Sequence, residues 1–216
     1  MKNRIFILLL AVSGLFSCKS VTIVDAWKSP NSNEFADNNA LVIARTKNRT
    51  ARIAFERAIT DQLKARGLNA TASFERFPNF DPDAEMTEER QAMIKTIFDN
   101  EGYDAVVVTS LKDVKESTTY YDNNYYPGAW GGYYPSYYGG FYPYYYHPYA
   151  YTYSVGISTG PSSYTTKTYY LETVAYDLTK DDSDQLVAVV TSKTDNPSDA
   201  YKVADKYAEE ILKALE

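Results

Sequence analysis

One cysteine, Cys18, and one histidine, His147, are the entire stock of thiol and imidazole in this chain of 216 residues. A hydrolytic site built on a nucleophile and an imidazole base would have to use His147. That residue stands in Tyr146-His147-Pro148, on a stretch with no sign of a stiff element beneath it, whereas catalytic geometry needs rigid support. It reads as a polar member of an aromatic loop. A zinc site would have to be built mostly from carboxylates, against the usual preference for nitrogen and sulfur. Asp81-Pro82-Asp83-Ala84-Glu85, with Glu88 and Glu89 behind, has the oxygen ligands of a calcium loop. It lacks the turn glycine and the distal bidentate glutamate. A solvated acidic loop feeding a helix N-terminus, where negative charge is favoured, explains it. Asp181, Asp182 and Asp184 suit a hairpin turn. The sequence thus predicts no catalytic residue, no metal and no cofactor.

The chemistry of Cys18 is set by what precedes it. Lys2 and Arg4 make a basic start, Ile5 to Val12 is an almost unbroken apolar run, and Leu15-Phe16-Ser17-Cys18 closes it. Start, run and small-residue junction together form an export signal, shorter than the ~20 apolar residues of a membrane-spanning helix. Leu15-Phe16-Ser17-Cys18 resembles the lipobox of bacterial lipoproteins; the alternative is a plain signal peptide with a chance cysteine. The resemblance implies that residues 1–17 are a lipoprotein signal peptide and that Cys18 becomes the acylated, palmitate-bearing first residue. Three acyl groups are typical of that family, and two or more chains make attachment stable. Lys19 stands where an aspartate would retain some such proteins at the inner membrane, which favours the outer membrane.

Loss of residues 1–17 removes Lys2 and Arg4 and no acid, taking the formal net charge from −6 to −8. Such a surface repels phosphate backbones, which excludes nucleic-acid binding. With Cys18 used for lipid no disulfide can form, so packing alone must hold the fold. The partners expected are the membrane, through the acyl chains, and an envelope protein or glycan; the sequence leaves the oligomeric state open.

Two further clusters could bind. Arg45-Thr46-Lys47-Asn48-Arg49-Thr50 joins an apolar strand to a helix N-terminus, where α/β sheets bind ligands. Arg45, Lys47 and Arg49 are candidate anion contacts there, although no glycine lets the backbone wrap a phosphate. The second cluster is aromatic: between Tyr120 and Tyr153 lie 15 of the chain's 22 tyrosines, interleaved with prolines and glycines. Four prolines forbid a continuous helix or central strand across it. The segment is either a mobile insertion or a contact surface, tyrosine being a flat apolar face with a phenol at low entropic cost. The candidate contact residues are Tyr125, Tyr126, Trp130, Tyr133, Tyr134, Tyr137, Tyr138, Tyr142, Tyr144, Tyr145 and Tyr146.

The elements that must position these groups follow from periodicity. Residues 18–40 read as acylated cysteine, tether and edge strand, and 41–216 as one domain with an insertion at 120–163. Leu41-Val42-Ile43-Ala44 is a strand buried on both faces. Thr50 is the expected cap of a helix with Ala51, Phe55, Ala58, Ile59 and Leu63 on one face and Gly67 at its end. Leu68 to Phe74 is a second strand. Thr87 caps a second helix whose inner side is Met93, Ile94, Ile97 and Phe98, stopped by Gly102. Tyr103 to Val108 is a third strand. Lys167 to Leu178 and Gln185 to Thr194 form an antiparallel hairpin. Asn196-Pro197-Ser198-Asp199 opens a last helix with Val203, Tyr207, Ile211, Ala214 and Leu215 as its apolar stripe.

The fold class is therefore α/β: one mixed sheet, β-α-β-α-β, then hairpin, then helix, with a long tyrosine-rich loop. That order resembles the N-terminal domain of the Tol translocation protein and the curli-secretion lipoprotein family. The stretches Leu41 to Ala44, Glu101 to Val108 and Asn196 to Asp199 also resemble uncharacterised envelope lipoproteins with a tyrosine-rich insertion. The lipobox and the tyrosine-rich segment lead to a non-catalytic binding or structural lipoprotein of the cell envelope; the resemblance in element order implies the alternative, an accessory subunit of a secretion or transport assembly, and the absence of a nucleophile–base pair on rigid elements disfavours a hydrolase.

Overall fold

The computed structural model describes residues 21–30, 32, 35, 38–119, 139–146, 164–197 and 199–216. In chain order the elements are β1 (Val21–Lys28), β2 (Asn39–Arg45), α1 (Arg49–Ala65), β3 (Asn69–Ala72), α2 (Ser73–Arg76), α3 (Glu88–Glu101), β4 (Ala105–Thr119), α4 (Phe141–Tyr146), β5 (Tyr164–Asp177), β6 (Leu186–Asp195) and α5 (Ala200–Lys213). The strands form one mixed sheet ordered β1-β6-β5-β4-β2-β3. β2 is parallel to β3 and β4, and the β4-β5-β6-β1 half is antiparallel.

The sheet is covered on both faces, and the apolar runs predict this. In β2, Ala40 and Val42 face the core shared with α1 and α5, while Leu41 and Ile43 face the core shared with α3 and α4. β4 alternates likewise, Ala105 and Val107 against Val106 and Val108. A strand buried on both faces has no polar side to show, hence the continuous apolar run. The β2-α1-β3 crossover moves outward along the sheet, and β3-α3-β4 moves back over β2. Two crossovers of one hand travelling in opposite directions place α1 and α3 on opposite faces, as observed.

Local chemistry shifts several boundaries. Asn48, not Thr50, caps α1: its Oδ1 accepts from the Ala51 N–H at 3.1 Å. The strand expected over Leu68 to Phe74 stops at Ala72. Ser73 and Phe74 turn into α2 because a buried carboxylate, Glu56, accepts the Phe74 N–H at 2.6 Å and the Ser73 hydroxyl at 2.8 Å. Met93, expected inside, is 42% exposed, since Ile94 and Phe98 are the residues of α3 that meet the core. Ala214 lies past the end of α5 and is exposed, its expected place in the stripe taken by Ala204 and Ala208. Thr87 caps α3 and Gly102, at φ +69°, ends it, both as predicted. β4 runs well beyond Val108. A bulge between Leu111 and Asp113 carries it into a Thr- and Lys-containing ribbon paired with β5 as far as Thr119 and Tyr164.

Candidate functional site

The stretch 139–146 of the tyrosine-rich insertion is built into the core. α4 has six residues, too few to persist alone, so its stability comes from packing. Pro143 is its third residue, and proline is tolerated in a first turn because the N–H it lacks has no intrahelical partner there. The prolines of this segment, expected to forbid a continuous helix, thus allow one short turn of helix at Phe141–Tyr146. Gly140 leads in at φ +142°, a backbone conformation that side chains rarely adopt, so the turn favours glycine.

Phe141, Tyr144 and Tyr145 each have 0% exposure. Phe141 packs edge-on to Phe98 of α3 with ring centroids 5.0 Å apart, and its N–H donates to Gln185 Oε1 at 3.1 Å. The Tyr144 hydroxyl donates to Glu172 at 2.8 Å. Burying a ring of this size contributes about 1.5–3 kcal/mol. The aromatic contact residues predicted at Tyr144 and Tyr145 are thus corrected: both are core side chains, because the sheet face between α3 and the β5–β6 turn has no other cover among the described residues. Tyr142 and Tyr146 are half-buried, with ring centroids 5.8 Å apart, and form the partly exposed side of the same turn. Burial pushes the Tyr145 and Tyr146 hydroxyls above the ordinary phenol range.

Two cations, one buried and one largely buried, clamp this helix. Arg45, at the end of β2, donates to the Tyr145 carbonyl, lies 5.0 Å over the Tyr145 ring centre, and faces Asp83 at 3.7 Å. Lys112, at the β4 bulge, pairs with Glu172 at 3.2 Å and sits 5.4 Å over the Tyr144 ring centre. Burial pulls the Lys112 ammonium below its ordinary range, and the Glu172 carboxylate pulls it back up. A cation over a desolvated ring is worth about 2 kcal/mol, so these contacts fasten α4 and the 81–85 loop to the sheet.

Arg45 is therefore corrected as an anion contact. It is 5% exposed and turned inward, whereas Lys47 and Arg49 are exposed on the turn into α1. The three cations do not form one patch. Asp83 is correspondingly not a purely solvated loop residue, since its carboxylate faces Arg45.

Sequence reasoning missed a second buried group. Glu56 of α1 is 0% exposed, and its carboxylate accepts from the Ala44 N–H at 3.0 Å, Arg52 Nε at 3.0 Å, the Ser73 hydroxyl and the Phe74 N–H. Burial raises its pKa, and the Ala44, Arg52, Ser73 and Phe74 donors each oppose the rise. Arg52 reaches on to the Ser73 hydroxyl at 2.9 Å and to the Phe80 carbonyl. This pair braces β2, α1 and α2 together. Its only sequence signal is a glutamate four residues after an arginine, a spacing that ordinarily marks a solvated helix face.

On the opposite face a cavity of about 230 Å³ lies between α1, α5 and the sheet, lined by Phe35, Ile59, Leu63, Val107, Ala188 and Ile211 among others. At its rim Arg66 pairs with Glu216 at 2.9 Å, and Lys28 donates to the Leu215 and Glu216 carbonyls. Its hydroxyls include Thr173, whose oxygen is shared with Thr109 and Tyr207 at 2.7 and 2.6 Å. Burial pushes the Tyr207 phenol up, out of the range of a proton shuttle.

Of the remaining predicted site residues, Cys18, Tyr125, Tyr126, Trp130, Tyr133, Tyr134, Tyr137, Tyr138 and His147 lie outside the described residues. Among the described residues no group of three or more His, Cys, Asp or Glu could hold a metal ion, and no helix is long and apolar enough to cross a membrane.

No family model and no curated protein matches this chain. Among solved structures it is similar to PelC of Paraburkholderia phytofirmans, crystallised as a dodecamer, at 11% identity, covering 90% of this chain and 96% of that one with TM-score 0.43. It is also similar to a DUF4136 family protein from Bacteroides thetaiotaomicron, at 15% identity, 90% and 92% coverage and TM-score 0.37. A third is lipoprotein GNA1162 from Neisseria meningitidis, at 9% identity, 82% and 97% coverage and TM-score 0.39. At these identities and scores the likenesses transfer no function.

Proposed function

We propose that this chain is a lipid-anchored protein of the bacterial cell envelope, held through acyl chains on Cys18, with a non-catalytic binding role carried by its tyrosine-rich insertion. Leu15-Phe16-Ser17-Cys18, at the end of an export signal, supports the anchor. The observation that carries the binding role is the clamp on α4. The insertion is pinned to the core at Phe141, Tyr144 and Tyr145 and rooted in strands at Thr119 and Tyr164, which gives it a fixed base. Preorganisation lowers the entropic cost of binding. Aromatic rings and phenols in this number suit a glycan face or a partner protein.

The test is excision of residues 122–138, which leaves Gly139 to Tyr146 in place. Retention on peptidoglycan, or capture of an envelope partner after crosslinking in cells, should be lost while far-UV circular dichroism is kept. Binding that survives the excision refutes the role. The likeness of the element order to the Tol and curli-secretion proteins favours a second reading, an accessory subunit of an envelope assembly. That reading predicts a stoichiometric protein partner in the crosslinked material.

A further inference from the structure

The register of the sheet brings two distant parts of the chain to the same end. Val21 pairs with Thr194, Thr194 with Tyr169, and Tyr169 with Val114, so the first residue of β1 lies in one row with the middle of the β4–β5 hairpin. From that row β1 runs away from the hairpin tip. β6 ends at Asp195, opposite Thr168. The hairpin continues past both, pairing Glu116 with Lys167 and onward to Thr119 with Tyr164. This arm, whose base is still bonded to Asn196 through Lys167, reaches five residues beyond the row, about 17 Å. Cys18 is three residues before Val21, so whatever path the link takes, its reach is at most ~11 Å. Sideways, β1 and the arm are two or three strand spacings apart, about 10–14 Å.

These lengths decide the geometry. With Cys18 at a lipid surface, the arm overhangs Val21 by more than the link can span, and the row stands within the link's reach of the headgroups. An upright sheet drives the arm tip into the headgroup layer, and a moderate tilt lays it on that layer. Charge favours the same end. The far end of the sheet carries Asp104, Asp177, Asp181, Asp182 and Asp184 against Lys28 and Lys180, whereas at the arm end Lys115, Lys167 and Lys193 balance Asp113, Glu116 and Asp195. An anionic leaflet therefore repels the far end and not the arm. Val114 is 40% exposed, Lys115 stacks 4.9 Å over the Tyr170 ring centre, and Lys167 pairs with Glu116 at 2.7 Å.

Resting on the lipid anchor proposed above, we infer that the β4–β5 arm is a second membrane contact: Thr-, Tyr- and Lys-bearing residues 114–119 and 164–170 lie against lipid headgroups and fix the orientation of the domain. In this arrangement the acidic β5–β6 turn points away from the membrane.

The test uses the full-length export precursor expressed in cells, purified with its lipid and reconstituted into phosphatidylethanolamine–phosphatidylglycerol vesicles. Cys18 is blocked by acylation, so Ser117→Cys on the arm or Ser183→Cys on the far turn gives a single labelling site; both positions are exposed. β4 alone spans about 50 Å, well beyond the reach of a headgroup quencher. With a nitroxide on the lipid headgroups, the label at 117 should lose most of its emission and the label at 183 should keep it. Equal quenching at the two sites, or more at 183, overturns the inference. Intact mass of the same preparation reads the anchor separately. Acyl mass with equal quenching removes only the orientation, and absence of acyl mass removes the anchor together with the inference.

Discussion

If α4 is core, truncating Tyr145 must destabilise the whole domain. Its ring is 0% exposed, its hydroxyl donates to the Pro82 carbonyl at 3.4 Å, and Arg45 lies over its face at 5.0 Å. Large aromatic-to-alanine changes at such sites cost about 3–5 kcal/mol. The Arg45 guanidinium would lose its ring partner, which places Tyr145→Ala in the upper part of that range. For a domain of this size each kcal/mol moves Tm by about 2–4 °C, so the midpoint should fall by about 6–20 °C. Thermal unfolding of the mature chain followed by circular dichroism reads this, with Tyr142→Ala as the control. Tyr142 is half-buried, and its truncation should cost about 1 kcal/mol. Were α4 a loosely docked flap, it would undock and the loss could not exceed its docking free energy. A Tyr145→Ala protein within 2 °C of the parent would therefore refute the assignment of α4 to the core.

Glu56→Gln removes one partner of a buried pair and should cost about 3–5 kcal/mol at neutral pH. Burial raises the Glu56 pKa above 4.5, so the native state holds that proton more tightly than the unfolded chain. Stability contributed at this site is then present below the ordinary carboxyl range and falls as pH rises through the raised value. The Tm gap between parent and Glu56→Gln should shrink from pH 4.5 upward and then level off; a gap that widens over that window contradicts the direction of the shift. At the start of α1, Asn48→Ala should cost about 1 kcal/mol and Thr50→Ala about half that or less, by urea titration. The reverse order would restore Thr50 as the cap.

What could be read from the sequence was whatever local chemistry determines. Leu41 to Ala44 can only be a strand covered on both faces, and the placement of Thr87, Gly67 and Gly102 needs nothing beyond the residues beside them. Arg45 and Glu56 were illegible for the opposite reason. Their partners, Tyr145 and Asp83 for the one and Phe74 and the Ala44 amide for the other, are brought together only by the completed sheet. By local rules a cation after a strand and a carboxylate on a helix both read as solvated. α4 failed for a third reason. Tyr, Pro and Gly punctuate the insertion so densely that a six-residue helix leaves no periodic trace, and Pro143 counts against helix unless it falls in a first turn. The register that aligns Val21 with Val114 is likewise a property of the whole sheet.

The measurement that bears most directly on the central claim is the intact mass and N-terminal peptide of the mature protein purified from cells. A chain beginning at Cys18 and carrying the mass of its acyl groups is the expected result. A chain that begins elsewhere, or begins at Cys18 with a free thiol, would contradict lipid anchoring and the envelope role built on it.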